Sequence, residues 1–339
     1  MQTPALLGHE AAQGLSPGSR TDVPQPGPQS LLAKLGITPK LSEPIDPASI
    51  VPGAAYVMVD AKGRLLCGPA SGWNWAWFGK YEDWSSNILS VCFTSDPTVG
   101  ATTITLGGRS DVYLRTNGNS TNWNWAFWGD NIWKGFAAMN MTAVASGNGY
   151  QLKYVNGTTD MYLCAATSSS WDYAYIGGDS WTPTTVTLHK FYLTWDDLKT
   201  LIEATWPTAA MDKCSLRTSD AKYELLTDSV ATTIYKASGL SGYTYKADVF
   251  DCDDFATVYR AQAAKYAWSQ SVTAPYAIGM ISGEANLTDP RHAANIFFDI
   301  NGNVKVLEPQ GGLQGGKIVL GSQWQDNNGT TYIPDRVVF

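Results

Sequence analysis

Apolar residues recur with two different periods along this chain, and the change of period divides it. Before about residue 195 the apolar runs are short. Leu65-Leu66-Cys67, Val112-Tyr113-Leu114 and Met161-Tyr162-Leu163 read as strands bounded by Gly, Asn, Ser and Thr. After residue 195 the spacing becomes helical. In WDDLKTLIEATW, Trp195, Leu198, Leu201 and Ile202 fall on one side, with acids in the first turn. DSVATTIYKASG predicts a second helix, capped by Asp228 and closed by Gly239. A third runs from Cys252 to Trp268. Strand patterns follow in YAIGMIS, HAANIFFDI and NVKVLEP, the last two joined by the turn signal Asn301-Gly302. Helices followed by antiparallel strands predict an α+β domain over residues 196–339.

The earlier region repeats itself. Trp73-Asn-Trp-Ala-Trp-Phe-Gly79 returns as Trp123-Asn-Trp-Ala-Phe-Trp-Gly129 and as Trp171-Asp-Tyr-Ala-Tyr-Ile-Gly177, at intervals of 50 and 48 residues. Each copy follows one of the apolar strands above. Each precedes a further tryptophan (Trp84, Trp133, Trp181) and another β-type run, ILSVCF, GFAAMNM or TTVTLHKF. Three such units predict a β-trefoil over residues 51–195, since a three-bladed propeller falls below the usual blade number. Residues 1–50 are rich in Pro, Gly, Ser and Gln, with one apolar patch in SLLAKLGI, and read as an extended arm. Such an arm implies an assembly partner that holds it.

Composition removes several functions. Net charge is −7 without a Lys/Arg cluster, which excludes a nucleic-acid partner. No apolar run reaches the length of a membrane span. MQTPALLGHEAAQG has neither a basic start nor an apolar core, so the expectation is cytoplasmic synthesis, with release by lysis or incorporation into a virion or surface assembly. Five scattered cysteines with no CxxC pair favour reduced thiols over a disulfide scaffold or zinc site.

The candidate chemistry centres on FDCDDFA, residues 250–256, where Cys252 lies among Asp251, Asp253 and Asp254 at a predicted helix start. The helix N-terminus favours a thiolate, whereas the acids oppose it. Only three histidines exist: His9 in the arm, His189 ending the third repeat, and His292 opening a strand. Cys252 at a helix start, His292 forty residues later and Glu308 sixteen beyond, across the Asn301-Gly302 turn, have the arrangement of a papain-like cysteine protease. The plain alternative keeps Cys252 as a small core hydrophobe, His292 on the surface, Glu308 as a strand end, and Asp251 and Asp253 as helix caps.

FDCDDFA together with HAANIFFDINGNVKVLEPQ resembles the C-terminal domain of the fairy-ring mushroom agglutinin family and its bacterial and phage relatives. There a β-trefoil lectin precedes a papain-like, calcium-dependent cysteine protease. The resemblance covers roughly residues 200–339. It implies Cys252 as nucleophile, His292 as general base and acid, and Glu308 as the group orienting His292. It also implies calcium or manganese held by Asp253, Asp254 and Gln310, with Asp251 and Glu308 as additions. Such a cation answers the acid cluster: it neutralises the carboxylates and turns the thiol on. In papain a glutamine six residues before the cysteine completes the oxyanion hole. Lys246 stands there in this chain, with helix-start N–H groups as the other candidates.

The repeats lack the Gln-x-Trp signature of ricin-type lectins. Trp75, Trp125 and Tyr173, beside Asn74, Asn124 and Asp172, can stack on sugar rings and bind hydroxyls at up to three equivalent sites. The first tryptophan of each copy equally suits a threefold core. The leading expectation is therefore a glycan-targeted cysteine peptidase acting on a protein or peptide, with glycans or glycoproteins as partners and a homo-oligomer left open. The alternative is a non-catalytic adhesion or structural component of a larger assembly, such as a phage virion or tail protein, anchored by residues 1–50.

Overall fold

The computed structural model describes residues 31–69, 74–79, 90–107, 109–116, 118, 122–130, 138–165, 172–178, 180–206, 211–270, 272, 274–285, 291–311 and 315–339. Most of the regular structure is β-strand, and the chain divides into two compact units. One holds residues 59–187, and the other holds residues 30–58 and 188–339.

In the first unit the repeated motif forms strands Asn74–Trp75 and Trp77–Gly79, Trp123–Gly129, and Asp172–Gly177. Each pairs antiparallel with the apolar strand before it, in one register. Leu65 faces Gly79, Tyr113 faces Gly129, and Tyr162 faces Gly177. The early half of each motif pairs with the late half of another. Trp75 faces Phe127, Trp125 faces Tyr175, and Tyr173 faces Trp77. First joins second, second joins third and third joins first, so the pairing closes cyclically and leaves no free motif edge.

Alternation along these strands puts Ala76, Ala126 and Ala174 on one face with Phe78, Trp128 and Ile176, all fully buried. The alanines are small enough for their backbones to bond directly across the closure. Ala76 N–H donates to Ala126 O at 3.0 Å, and Ala174 N–H donates to Ala76 O at 2.8 Å.

The second unit is built on a six-stranded sheet. Its order is Ser215–Arg217, Ile333–Val338, Ile278–Glu284, His292–Phe298, Val304–Leu307, Ile318–Leu320. Only the first pairing is parallel. All but the first residue of His292–Phe298 are buried, as suits a strand covered on both faces. The expected turn joins it to Val304–Leu307. Asp299 Oδ1 accepts the N–H groups of Asn301 and Asn303, and Gly302 takes φ 74°. This is a three-residue loop ending in a left-handed glycine.

Helices form at Trp195–Thr205, Asp228–Ser238 and Cys252–Ser269. Gly239 closes the second in the left-handed region, as the sequence predicts. The expected Asp228 cap is replaced by Thr227, whose side chain accepts the Val230 N–H while its backbone is extended. Asp228 is instead the first helical residue, and its carboxylate is drawn to Lys305 Nζ at 2.6 Å. Among the described residues no helix is long and apolar enough to cross a membrane.

Two boundaries differ from the sequence reading. Phe191–Thr194 pairs with Lys40–Leu41 and Lys222–Glu224, which takes it into the second unit rather than the repeats. Residues 31–50, expected to wait for an assembly partner, are seated on their own chain. Ser42 N–H donates to Lys190 O at 3.0 Å, and Ile45 N–H donates to Leu188 O at 2.7 Å. Leu32 is buried over Gly302, where any side chain would strike it. Residues 1–30 lie outside the described residues.

Beneath this strap Lys190 meets Glu224 at 3.2 Å and lies 4.0 Å from the centre of the Tyr56 ring. The contact is an ion pair more than an aligned hydrogen bond. Burial pushes the Glu224 carboxyl up, and Lys190 opposes that shift. Removing one partner of such a pair strands a buried charge. Lys190→Met is expected to cost about 3 kcal/mol in urea unfolding, and Lys190→Met with Glu224→Leu to recover most of it. Equal stability of Lys190→Met and wild type contradicts this.

Candidate active site

Cys252 is the first residue of the Cys252–Ser269 helix, and Asp251 is its cap. Asp251 accepts the Asp253 N–H, while Asp254 Oδ2 accepts the Asp251 N–H at 3.1 Å. This reciprocal box fixes where the helix begins and so where the thiol sits. The helix packs on the His292 strand. Fully buried Asn295 joins the two, its Nδ2 donating to Ala256 O in the helix at 3.0 Å and to Gly279 O at 3.2 Å.

His292 thereby stands between Cys252 and Glu308. Its Nε2 is 2.6 Å from Glu308 Oε2, and Cys252 is close enough to act electrostatically on the imidazole. With Nε2 committed to the carboxylate, Nδ1 is the nitrogen left for sulfur. Glu308 Oε1 accepts the Gln310 N–H at 2.9 Å, so both carboxylate oxygens are held. Burial of His292 disfavours its charged form, yet hydrogen bonds to Cys252 and Glu308 and their charges outweigh that and raise it to about 9. The fold thus brings His292 and Glu308, sixteen residues apart in sequence, into direct contact beside the start of the Cys252 helix.

A cleft of about 740 Å³ opens beside His292 and Glu308. The Trp324 and Tyr332 rings lie 4.6 Å apart and stand 6.3 and 5.5 Å from the imidazole. They sit at the base of a small hairpin in which Tyr332 N–H donates to Trp324 O and Asp326 Oδ1 accepts from Asn328 and Thr330 N–H. Sequence reasoning missed this aromatic wall. Asn328-Gly329, a turn signal like Asn301-Gly302, could have placed residues 324 and 332 opposite each other. Lys246 is exposed, and its N–H and C=O are both bonded to Phe250. The Cys252 N–H has no acceptor among the described residues, as is usual in the first turn of a helix.

The expected metal residues divide. Ligand atoms of Asp251, Cys252 and Asp253 lie within 4.8 Å of one another. Asp254, expected as a ligand, is turned away into the capping box. Gln310 lines the cleft, with its N–H on Glu308. Glu308 spends one acceptor site of each oxygen on His292 and the Gln310 N–H. Asp253 is pushed up by its hydrogen bond to Asp251, by partial burial and by the Asp251 charge. Two adjacent acids of this kind offer the oxygen donors that a hard divalent cation takes.

The expected sugar residues are arranged otherwise than as three separate sites. Trp75 and Trp125 have ring centroids 5.3 Å apart, and Trp125 and Tyr173 6.2 Å, so the cyclic pairing gathers them into one cluster. Trp75 is buried, while Trp125 and Tyr173 are half-buried. Asn124, expected to reach sugar hydroxyls, is buried on the core face with its Nδ2 towards Met161 Sδ. Alternation in the closed strand turns it inward. The side chains of Asn74 and Asp172, and the whole of Trp73, Trp84, Trp133 and Trp171, lie outside the described residues.

Because His292 is raised above its ordinary 6.5, its protonated form contributes stability that is complete below pH 6.5 and lost as pH climbs through about 9. Relative to His292→Gln, wild type is therefore expected to lose urea stability across that window. A difference independent of pH contradicts the Cys252–His292–Glu308 geometry.

Residues 223–314 match the family model described as Agglutinin C-terminal, a span that includes Cys252, His292 and Glu308. No curated protein matches the chain. Similar solved structures include a complex of PSL1a with E64 and the Polyporus squamosus lectin bound to the human-type influenza-binding epitope Neu5Aca2-6Galb1-4GlcNAc. Both are 17% identical to this chain and cover 84% of it and 98% of themselves, with TM-scores of 0.40 and 0.38. Within its second unit the chain is thus similar to the C-terminal region of agglutinins.

Proposed function

We propose that residues 188–339 form a papain-like cysteine peptidase and that residues 59–187 form a β-trefoil sugar-binding module targeting it to glycans. The observation that carries the peptidase reading is His292 held between Cys252 and Glu308 at the mouth of a cleft. Cys252 attacks the scissile carbonyl, and its proton passes to His292 Nδ1. Glu308 holds the ring in place and stabilises the imidazolium. The Cys252 N–H faces the oxyanion. His292 then returns the proton to the leaving amine, and a water activated by the same imidazole hydrolyses the thioester.

Calcium or manganese, when bound, would supply the positive charge that the acid cluster needs, held by Asp251 and Asp253. In its absence the Asp251 and Asp253 carboxylates stand beside the Cys252 sulfur, the three ligand atoms within 4.8 Å of one another. The agglutinin match over residues 223–314 supports the linked reading, as does the threefold pairing of the first unit. Half-exposed Trp125 and Tyr173 supply an aromatic surface for a sugar ring. The assembly alternative loses its anchor over residues 31–50, which are bonded to the chain itself.

Degradation of an unfolded protein such as reduced casein tests this. Cleavage is expected with calcium and not with chelator. It is abolished by Cys252→Ala and His292→Asn, and Glu308→Gln lowers it by about a hundredfold or more. Cleavage that survives Cys252→Ala, or no cleavage with either cation, overturns the reading.

A further inference from the structure

The cleft beside His292 has a charge that the reaction does not use. Besides Tyr332, four charged or titratable side chains line it: His292, Glu308, Asp326 and Lys317. Three are turned to the chain. His292 and Glu308 hold each other, Glu308 also takes the Gln310 N–H, and Asp326 gives Oδ1 to its own turn and keeps Oδ2 buried. Lys317 is exposed and has no ion pair or hydrogen bond from its side chain among the described residues.

Its position is nonetheless fixed. The Glu308 N–H donates to Lys317 O at 2.9 Å, continuing the register in which Leu307 faces Ile318, and Gly316 at φ 79° forms a bulge whose N–H donates to Glu308 O at 2.8 Å. Lys317 thus lies directly across from Glu308, and residues so paired share a face of the sheet. A flexible ammonium is held on the face that carries the triad carboxylate, yet that carboxylate is already saturated. The rest of the wall is uncharged, with the amides of Gln310, Gln323, Gln325 and Asn328 beside the Trp324 and Tyr332 rings. Such a surface orients a chain but selects no charge, so among the described residues the exposed charge on this wall is that of Lys317.

We propose that Lys317 is a specificity-determining residue that pairs with a carboxylate side chain of a peptide substrate. With about 3.3 Å of chain per residue, the acid lies within roughly two residues of the scissile bond. The inference rests on the peptidase reading and names its substrate class: peptides with Asp or Glu near the cleavage point. An open, wet ion pair is worth little in absolute affinity, and its effect is discrimination between substrates.

The test uses the full chain carrying Cys252→Ala, with calcium, to capture peptides from a randomised synthetic library for sequencing by mass spectrometry. Asp and Glu are expected to be enriched roughly two- to fivefold over Asn and Gln at one position. The enrichment vanishes on adding Lys317→Met, turns to Lys and Arg with Lys317→Glu, and weakens with salt. Identical peptide preference in all three proteins overturns the assignment. In the Cys252 background, a neutral epoxide separates the two ideas. Labelling equal in wild type and Lys317→Met, with acid enrichment absent, overturns the role of Lys317 and leaves the peptidase reading intact. Labelling slowed by Lys317→Met also overturns it, because the lysine then tunes Glu308 and His292 rather than reading substrate. Failure of Cys252 to label at all in wild type overturns the peptidase reading and this inference together.

Discussion

The site depends on one contact made inside the fold, the seating of the Cys252–Ser269 helix on the His292–Phe298 strand. Cys252 and His292 come from elements of different kind, and only their packing relates them. Asn295 fixes it with two donated hydrogen bonds in a fully buried position, one of them to the turn of helix that follows Cys252. A buried amide that bonds helix to sheet cannot slide without losing both bonds, each net stabilising by about 1 kcal/mol and costlier to leave unmade. Its Oδ1 finds no hydrogen-bond partner, so an apolar core residue would be the simpler choice for stability alone. The position is filled by the group that sets register.

From that contact the electrostatics follow. The strand delivers His292 beside the helix start, and the hairpin returns Glu308 to Nε2. The same helix start carries Asp251 and Asp253, where the hydrogen bond between the two side chains, with partial burial and repulsion, holds the Asp253 carboxyl up. The strap of residues 31–58 is part of the same unit: Leu32 covers the far end of the hairpin that carries His292 and Glu308, and Lys305 ties that hairpin to Asp228.

Features set by local chemistry were legible in the sequence. The Cys252 helix, the turn around Asn301-Gly302 and the Gly239 helix end depend on residues within a few positions of each other. The triad could be read because only three histidines exist and one opens a strand. The fate of Asn124 and Trp75 could not, because which face of a strand is buried depends on closure with strands some fifty residues away. The strap was hidden for the same reason: Lys40–Leu41 pairs with Phe191–Thr194, far along the chain, and its Pro-rich composition resembles a linker. Asp254 shows a third limit, since three adjacent acids are equivalent as letters and only helix geometry makes one of them a cap.

An activated thiol at Cys252 is the claim on which the rest turns. Its most direct test is intact-mass analysis of the full chain after treatment with a cysteine-protease epoxide, with calcium and with chelator, beside Cys252→Ala. One adduct that needs both calcium and Cys252, among five free cysteines, is the expected result. Several adducts spread over the cysteines, or none in either condition, would contradict it.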